Sequence, residues 1–352
     1  MQRLLLSTLG FYIAFLFTSC AQAQTTIMAE TIIDKSQLEY YLVQAYNQAT
    51  AESRIAINHI GLETESVGSI QVASAVIEGY PAHHSGIRRG DKILQVNGME
   101  FHPVYSFNEL HTSGRVIPHL DERFNIEIDR GGIVQSLSIS PVHENLYDSY
   151  RTAGLNSPQQ FNVGNKVIGY MRLWGLSRST NDLLSIKSMI DELSQCDGII
   201  LDLRDASGFI DITLLDLIYR TRNNYYETAG ENTSSFSLDK TVTISPGYYS
   251  RPLAVLINKN TRGGAELLAY QLNKSERVVT IGEATNGKIG GYRLDNQAGG
   301  YRYKPATQAL IDGEQFEGVG LTPEISIDYP ISQTTRSDPQ FENAATILQG
   351  MI

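Results

Sequence analysis

Two kinds of hydrophobic spacing alternate along the chain, and the change between them divides it. In residues 30 to 54 the apolar positions Ile32, Ile33, Leu38, Tyr41, Leu42 and Ala45 recur at threes and fours. That spacing predicts one or two packed helices. Residues 55 to 143 carry short apolar runs, Ile70-Gln71-Val72, Ile93 to Val96 and Phe124 to Ile128, separated by glycine-rich turns. They read as the strands of a small β module, with Asn97-Gly98 and Gly131-Gly132 suited to tight corners.

From residue 163 the pattern is different. Val167 to Leu173 reads as a strand, and Thr180 or Asn181 caps a helix expected to reach about Gln195, with Leu183, Ile186, Ile190 and Leu193 on one face. Gly198 to Leu203 and Pro252 to Ile257 are nearly continuous apolar runs. Such runs fit strands covered on both faces. A helix is expected from about Gly263 to Asn273, followed by a strand at Val278 to Ile281. Strand, helix, strand alternation predicts an α/β sheet with crossover helices. Residues 222 to 250 read as irregular structure or short strands. Residues 331 to 352 read as a tail with one short helix.

The amino terminus changes the picture. Arg3 precedes an apolar run from Leu4 to Phe17, then small residues. This is the layout of a secretory signal peptide, expected over residues 1 to 23, and the run is short for a spanning helix. Two cleavage readings stay open: Ala21-Gln22-Ala23 suits ordinary signal peptidase, and Phe17-Thr18-Ser19-Cys20 resembles a bacterial lipobox that would leave Cys20 lipidated. Either way the chain is expected to be exported to a bacterial periplasm or cell envelope, with membrane attachment only through Cys20.

Composition then narrows the function classes. The formal charge is 28 − 38 = −10. An acidic chain repels phosphate backbones, which argues against nucleic acid as a partner. Two cysteines, Cys20 and Cys196, build neither a disulfide framework nor a thiolate zinc site. Cys196 is expected to be a small buried residue. His83 and His84 lack a third ligand and are expected on the surface, so no metal is expected.

The segment from Tyr80 to Gly98, with Pro81-Ala82, Ser85-Gly86-Ile87, Gly90-Asp91 and Ile93 to Val96, resembles the core of a PDZ domain. His59-Ile60-Gly61-Leu62 then falls where PDZ domains carry a carboxylate-binding loop. The resemblance implies that Ile60, Gly61 and Leu62 bind a peptide terminus. Backbone N–H groups would meet the carboxylate while the peptide adds a strand to a sheet edge.

The second half resembles the carboxy-terminal processing (tail-specific) serine peptidases. The carriers are Ile199 to Phe209, then Val255 to Asn258 with Thr261-Arg262-Gly263-Gly264-Ala265-Glu266, then Ile281 to Lys288, and finally Glu317 to Glu324. The resemblance implies a multidomain α+β and α/β chain: residues 30–54 helical, 55–143 a PDZ β-barrel-like module, 150–330 a peptidase core of the ClpP/crotonase kind, and 331–352 the tail. It implies protein or peptide carboxy-terminal tails as partners and no cofactor. It sets no oligomeric state.

That family uses a serine that opens a helix and a neutral lysine as its base. Lys288 falls on the base. Gly208 and Gly264 fall on the donors of the oxyanion hole. Glu266 and Lys288 both align the nucleophile with Gly263, 288 − 263 = 25 residues before the lysine. Glycine has no hydroxyl. The preceding loop also departs from the family, with Ala206 for asparagine and Phe209 for the second glycine. The resemblance therefore implies a serine peptidase homologue with impaired catalysis. Two alternatives stay open: a displaced nucleophile, with Ser207 and Thr261 as candidates, or a non-catalytic envelope adaptor. Asp202 and Arg204 are expected to pair locally.

Overall fold

A computed structural model describes residues 31–48, 50–120, 123–220, 228–229, 247–306, 310–311, 313–332 and 337–352. Residues 1–23, with Cys20, lie outside this set, as does most of the segment 222–250.

The β module is a twisted antiparallel sheet. Its strands β1 (Leu62–Val67), β2 (Ile70–Val76), β3 (Lys92–Val96), β4 (Phe124–Arg130) and β5 (Ile133–Ile139) lie in the order β5-β4-β3-β2-β1. Met99–Glu100 turns back onto β3 through Asn97-Gly98, and Gly131-Gly132 joins β4 to β5. Alternate residues point inward. Ile93 and Val96 of β3, and Phe124, Ile126 and Ile128 of β4, meet Ile60, Ala73 and Phe107 in one core. Arg130 closes the Gly90-Asp91 turn through Nε and Nη2 to Asp91, at 2.7 and 2.6 Å. His83 and His84 end the short helix Pro81–His84 and are exposed.

The second half is built on a six-stranded sheet in sequential order: β6 (Gln159–Val163), β7 (Lys166–Arg172), β8 (Gly198–Asp202), β9 (Leu253–Ile257), β10 (Val278–Gly282) and β11 (Ile325–Ser326). The β6–β7 pair is antiparallel and the rest are parallel. The continuous apolar runs have a direct reason. Ile199 and Leu201 face a core shared with Met189, Leu193, Cys196 and Leu268, whereas Ile200 faces the opposite side with Ala254 and Leu256. Both faces are covered, so apolar residues run along the strand until Asp202 at its end, which is buried with its own partner Arg204.

Four local expectations are corrected. Ile32–Ile33 is a strand, not part of a helix, and pairs with Tyr301 and Arg302 in the hairpin Gly291–Lys304. Helix α1 is Leu38–Asn47 alone, with Tyr40, Tyr41, Leu42 and Ala45 buried. The crossover helix is capped by Ser179, whose side chain accepts from Asn181 N–H, and it ends at Glu192. The carboxy-terminal segment carries a 13-residue helix, Pro339–Met351, capped by Asp338. Its Ala344 and Leu348 are fully buried against Ile168, Ile200 and Leu256. Phe341, Ala345, Ile347 and Met351 of the same helix pack beside them. The helix is one layer of the core.

The two halves are tied together on one side of the sheet. Arg172 reaches Glu78 of the β module at 3.2 Å, and Trp174 Nε1 donates to the same carboxylate at 2.8 Å. Arg89 stacks on Tyr329, 4.0 Å from its ring centre.

Candidate active site

The sheet delivers the site residues at its carboxyl edge. Strand β8 ends in Asp202, and the chain turns sharply through Arg204 and Asp205 to Gly208. Arg204 holds Asp202 through Nε at 2.9 Å and Nη2 at 2.6 Å, and reaches Asp338 at 2.7 Å. Burial alone would raise the Asp202 carboxyl, but the charges of Arg204 and Arg172 carry it down to about 2. The pair is structural, as its local spacing suggests: it pins the strand end and the last helix together.

Strand β9 ends before Thr261, and the helix Gly264–Leu272 starts soon after. Gly263 is its N-cap, with φ 60° and ψ −129°. That is a region L-residues rarely occupy, and it belongs to a strained strand-to-helix turn. The Gly263 N–H donates to the Lys288 carbonyl at 2.9 Å, so the nucleophile position and the base position are adjacent, as their motifs imply. The loop carrying Lys288 is held by Glu266, which accepts from Thr285 Oγ1 and from Gly287 N–H, the latter at 2.7 Å. This explains why Glu266 and the Thr285 to Lys288 motif occur together.

Gly208 and Gly264 meet at the helix start, but the space between them is taken. A Cβ on Gly263 would stand 2.7 Å from the Gly208 carbonyl oxygen. One on Gly264 would stand 2.3 Å from Ile210 N. The Phe209 N–H is spent on Leu176 O at 2.8 Å. Gly263, Gly208, Phe209, Ser207 and Lys288 line a cavity of about 60 Å³.

Thr261, one candidate for a displaced nucleophile, is fully buried, and its hydroxyl donates to Leu203 O at 2.8 Å. Ser207 lies on the cavity wall with Lys288. Lys288 Nζ donates to Tyr292 Oη at 3.0 Å. Burial pulls its pKa below the ordinary lysine value, and the charge of Glu39 opposes that shift.

The loop His59-Ile60-Gly61-Leu62 leads into the start of β1. Ile60 and Leu62 are buried in the module core. The Gly61 N–H donates to His59 Nδ1 at 3.2 Å, and a Cβ on Gly61 would stand 2.3 Å from that of Tyr80. Glycine is required here by Tyr80. His59 Nε2 then donates to Ser149 Oγ at 3.0 Å, and Ser149 donates to Glu144 at 2.7 Å. With Nδ1 already accepting, His59 is the wrong tautomer to take a proton from Ser149. Among the described residues, the outer edges of β1 and β5 pair with no other strand, and that of β1 faces the core domain. Glu63 to Ser66 of β1 line a groove of about 1200 Å³ between the module and the core.

The motifs do not reveal Glu39, Tyr46 and Tyr292. Helix α1 lies across the cleft: Leu42, Val43 and Tyr46 line the small cavity, and Glu39 accepts from Tyr292 Oη at 2.7 Å. Arg262 lies in the helix-opening motif, but its pairing with Glu39 at 3.5 Å is not legible there. Among the described residues, no group of three His, Cys, Asp or Glu side chains is placed to hold a metal ion.

A sequential sheet with a module before it, a glycine at the helix-opening turn and a lysine beside it give the chain the fold of a PDZ-bearing peptidase of family S41. Residues 167–327 match the model of that family, and residues 72–115 match a PDZ domain. The chain is similar to the carboxyl-terminal-processing protease of Synechocystis sp., 26% identical over 298 residues that cover 78% of this chain and 64% of the relative. It is similar to the carboxy-terminal processing protease CtpA of Bacillus subtilis, 26% identical over 284 residues covering 77% and 56%. It thus spans somewhat less than two thirds of the length of these relatives. Its fold is that of the photosystem II D1 C-terminal processing protease, with a TM-score of 0.50, 18% identity, and coverage of 91% of this chain and 81% of the other.

Proposed function

We propose that this chain binds extended carboxy-terminal segments of other proteins in the groove between β1 and the core, and that it does not cleave them by serine–lysine chemistry. The observation that carries this reading is Gly263. It stands at the helix-opening turn without a hydroxyl, and the Gly208 carbonyl occupies the direction in which a side chain would project. The free edge of β1 supports the binding half, because an extended segment adds to such an edge through main-chain hydrogen bonds. The test is incubation of the full chain with an unstructured peptide ending in apolar residues. Binding without turnover is expected. Efficient cleavage that is lost in Lys288→Ala would overturn it.

A second reading has one observation in its favour: Ser207 shares the small cavity with Lys288. It predicts covalent labelling of Ser207 by a serine-directed probe. In both readings the protein acts outside the cytoplasm, on the evidence of its first 23 residues. Mass spectrometry of the mature amino terminus distinguishes a lipidated Cys20 from a chain starting after Ala23.

A further inference from the structure

The cleft holds a cluster that joins Lys288 to three residues the serine–lysine pattern does not include: Glu39, Arg262 and Tyr292. Three donors converge on one oxygen, Glu39 Oε1. Tyr292 Oη donates to it at 2.7 Å, Arg262 Nη2 lies 3.5 Å away, and Lys288 Nζ lies 3.9 Å away. Lys288 also donates to Tyr292, so the ammonium, the phenol and the carboxylate form a relay in which each donor faces an acceptor. Burial would push the Glu39 carboxyl up, yet the charges of Arg262 and Lys288, with the Tyr292 bond, hold it below the ordinary carboxylate value. The site therefore favours a charged carboxylate despite its depth. It is also built from distant parts of the chain: 253 residues separate Glu39 from Tyr292.

We propose that Arg262, Lys288 and Tyr292 form a carboxylate-binding pocket, filled in this structure by Glu39 of α1, and that a carboxylate arriving along the groove competes with Glu39 for it. Glu39, Arg262 and Lys288 all line the large groove, so the pocket opens where an extended segment pairing with β1 would lie. Competition does not require α1 to leave. The helix is anchored independently by the Ile32–Ile33 strand, by Tyr40 on Tyr301 at 5.3 Å between ring centres, and by Tyr46 packed over Gly175. Only the Glu39 side chain has to swing out. Arginine suits this task because its charge is permanent and its planar fork matches a carboxylate. In place of a reacting centre, the cleft is a carboxylate receptor with a built-in competitor.

The inference deepens the tail-binding reading and rests on it only for the source of the incoming carboxylate, so the experiment has two arms. In the first, Glu39→Ala in the full chain is titrated with propionate, with propionamide and with sodium chloride at equal ionic strength. Saturable recovery of the thermal midpoint by propionate alone is expected. Equal response to all three overturns the pocket, whatever the fate of tail binding. In the second arm, Glu39→Gln is titrated with an apolar peptide bearing a free carboxyl terminus, its carboxyl-terminal amide, and an amidated peptide with one internal Glu. About tenfold tighter binding than wild type is expected for a peptide that offers a carboxylate, with no gain for the plain amide and loss of the gain in Glu39→Gln/Arg262→Ala. A gain for the free terminus but not for internal Glu identifies a chain end as the ligand; the reverse identifies an acidic side chain. The same gain for all three peptides overturns the proposal. If no peptide binds any variant while propionate still rescues, the tail-binding reading fails and the pocket stands.

Discussion

The carbonyl oxygen of Gly208 lies 2.7 Å from the point where a Cβ on Gly263 would stand. The absence of a side chain at Gly263 and the path of the preceding loop are thus one structural fact: the loop occupies the space that a side chain would take. Phe209 supports the closed loop, with its N–H on Leu176 O and its ring 5.5 Å from the guanidinium of Arg178.

Gly263→Ser is therefore expected not to restore peptidase activity by itself. The new Cβ meets backbone, which yields less than a side chain, and the φ of 60° adds conformational strain. A loss of about 1–3 kcal/mol in stability is expected. Urea unfolding measures the loss, and turnover of an unstructured peptide measures activity. Restored cleavage at unchanged stability would show that the loop moves freely.

Glu266 predicts a pH dependence of defined sign. Burial raises its carboxyl to about 7, against the bonds from Thr285 and Gly287 that lower it. The folded pKa lies above the unfolded one, so between pH 4.5 and 7 the folded state binds more protons. Stability from this group falls as pH rises through that window, by up to roughly 3 kcal/mol. Glu266→Gln carries no such cost. Its stability relative to wild type is expected to rise from pH 5 to pH 8 in urea midpoints, and a flat difference would refute the assignment.

Gly263 and Lys288 were legible because each sits in a local strand–turn–helix or strand–turn motif, where a few residues set the backbone path. Asp202 and Arg204 were legible for the same reason. The roles of α1 and the last helix were not. Glu39 meets Tyr292 across 253 residues, and Leu348 joins Ile168 in one core from about half the chain away, and hydrophobic periodicity carries no information about such partners. The role of Arg262 depends on a carboxylate brought from α1, which its motif does not show. Gly61 has reasons that its place in a family loop does not show: the close approach of Tyr80 and a φ of 71°.

Gly175→Ala tests the seating of α1. The added methyl would fall 1.6 Å from Tyr46 Oη, so the tyrosine must leave. Tyr46 also packs edge-on against Tyr147, 5.0 Å between centres. A cost of about 1–3 kcal/mol is expected from overpacking. Hydrogen exchange over residues 38–47 is expected to speed up while exchange in β8 and β9 is unchanged. Unaltered protection in α1 would mean that Tyr46 does not hold the helix down.

Glu78 is the joint between the two halves, and its loss is expected to be read directly by Trp174. Arg172 stacks on that indole, 3.6 Å from its centre, while its Nη1 meets Glu78 and its Nη2 meets Asp205. Trp174 Nε1 bonds Glu78 as well. Glu78→Ala strips the indole of its acceptor and leaves Arg172, which is largely buried, with one carboxylate fewer. Breaking a buried pair costs several kcal/mol, but partial exposure of Glu78 reduces this to roughly 2 kcal/mol. Glu78→Gln keeps an acceptor for the indole and is expected to cost less. Trp174 is the single tryptophan of the chain, so its fluorescence reports this joint without interference. Glu78→Ala is expected to shift the emission to longer wavelength and to expose the connection between the halves to limited proteolysis. Unchanged emission in Glu78→Ala would mean that Arg172 and the surrounding packing hold the indole without the carboxylate.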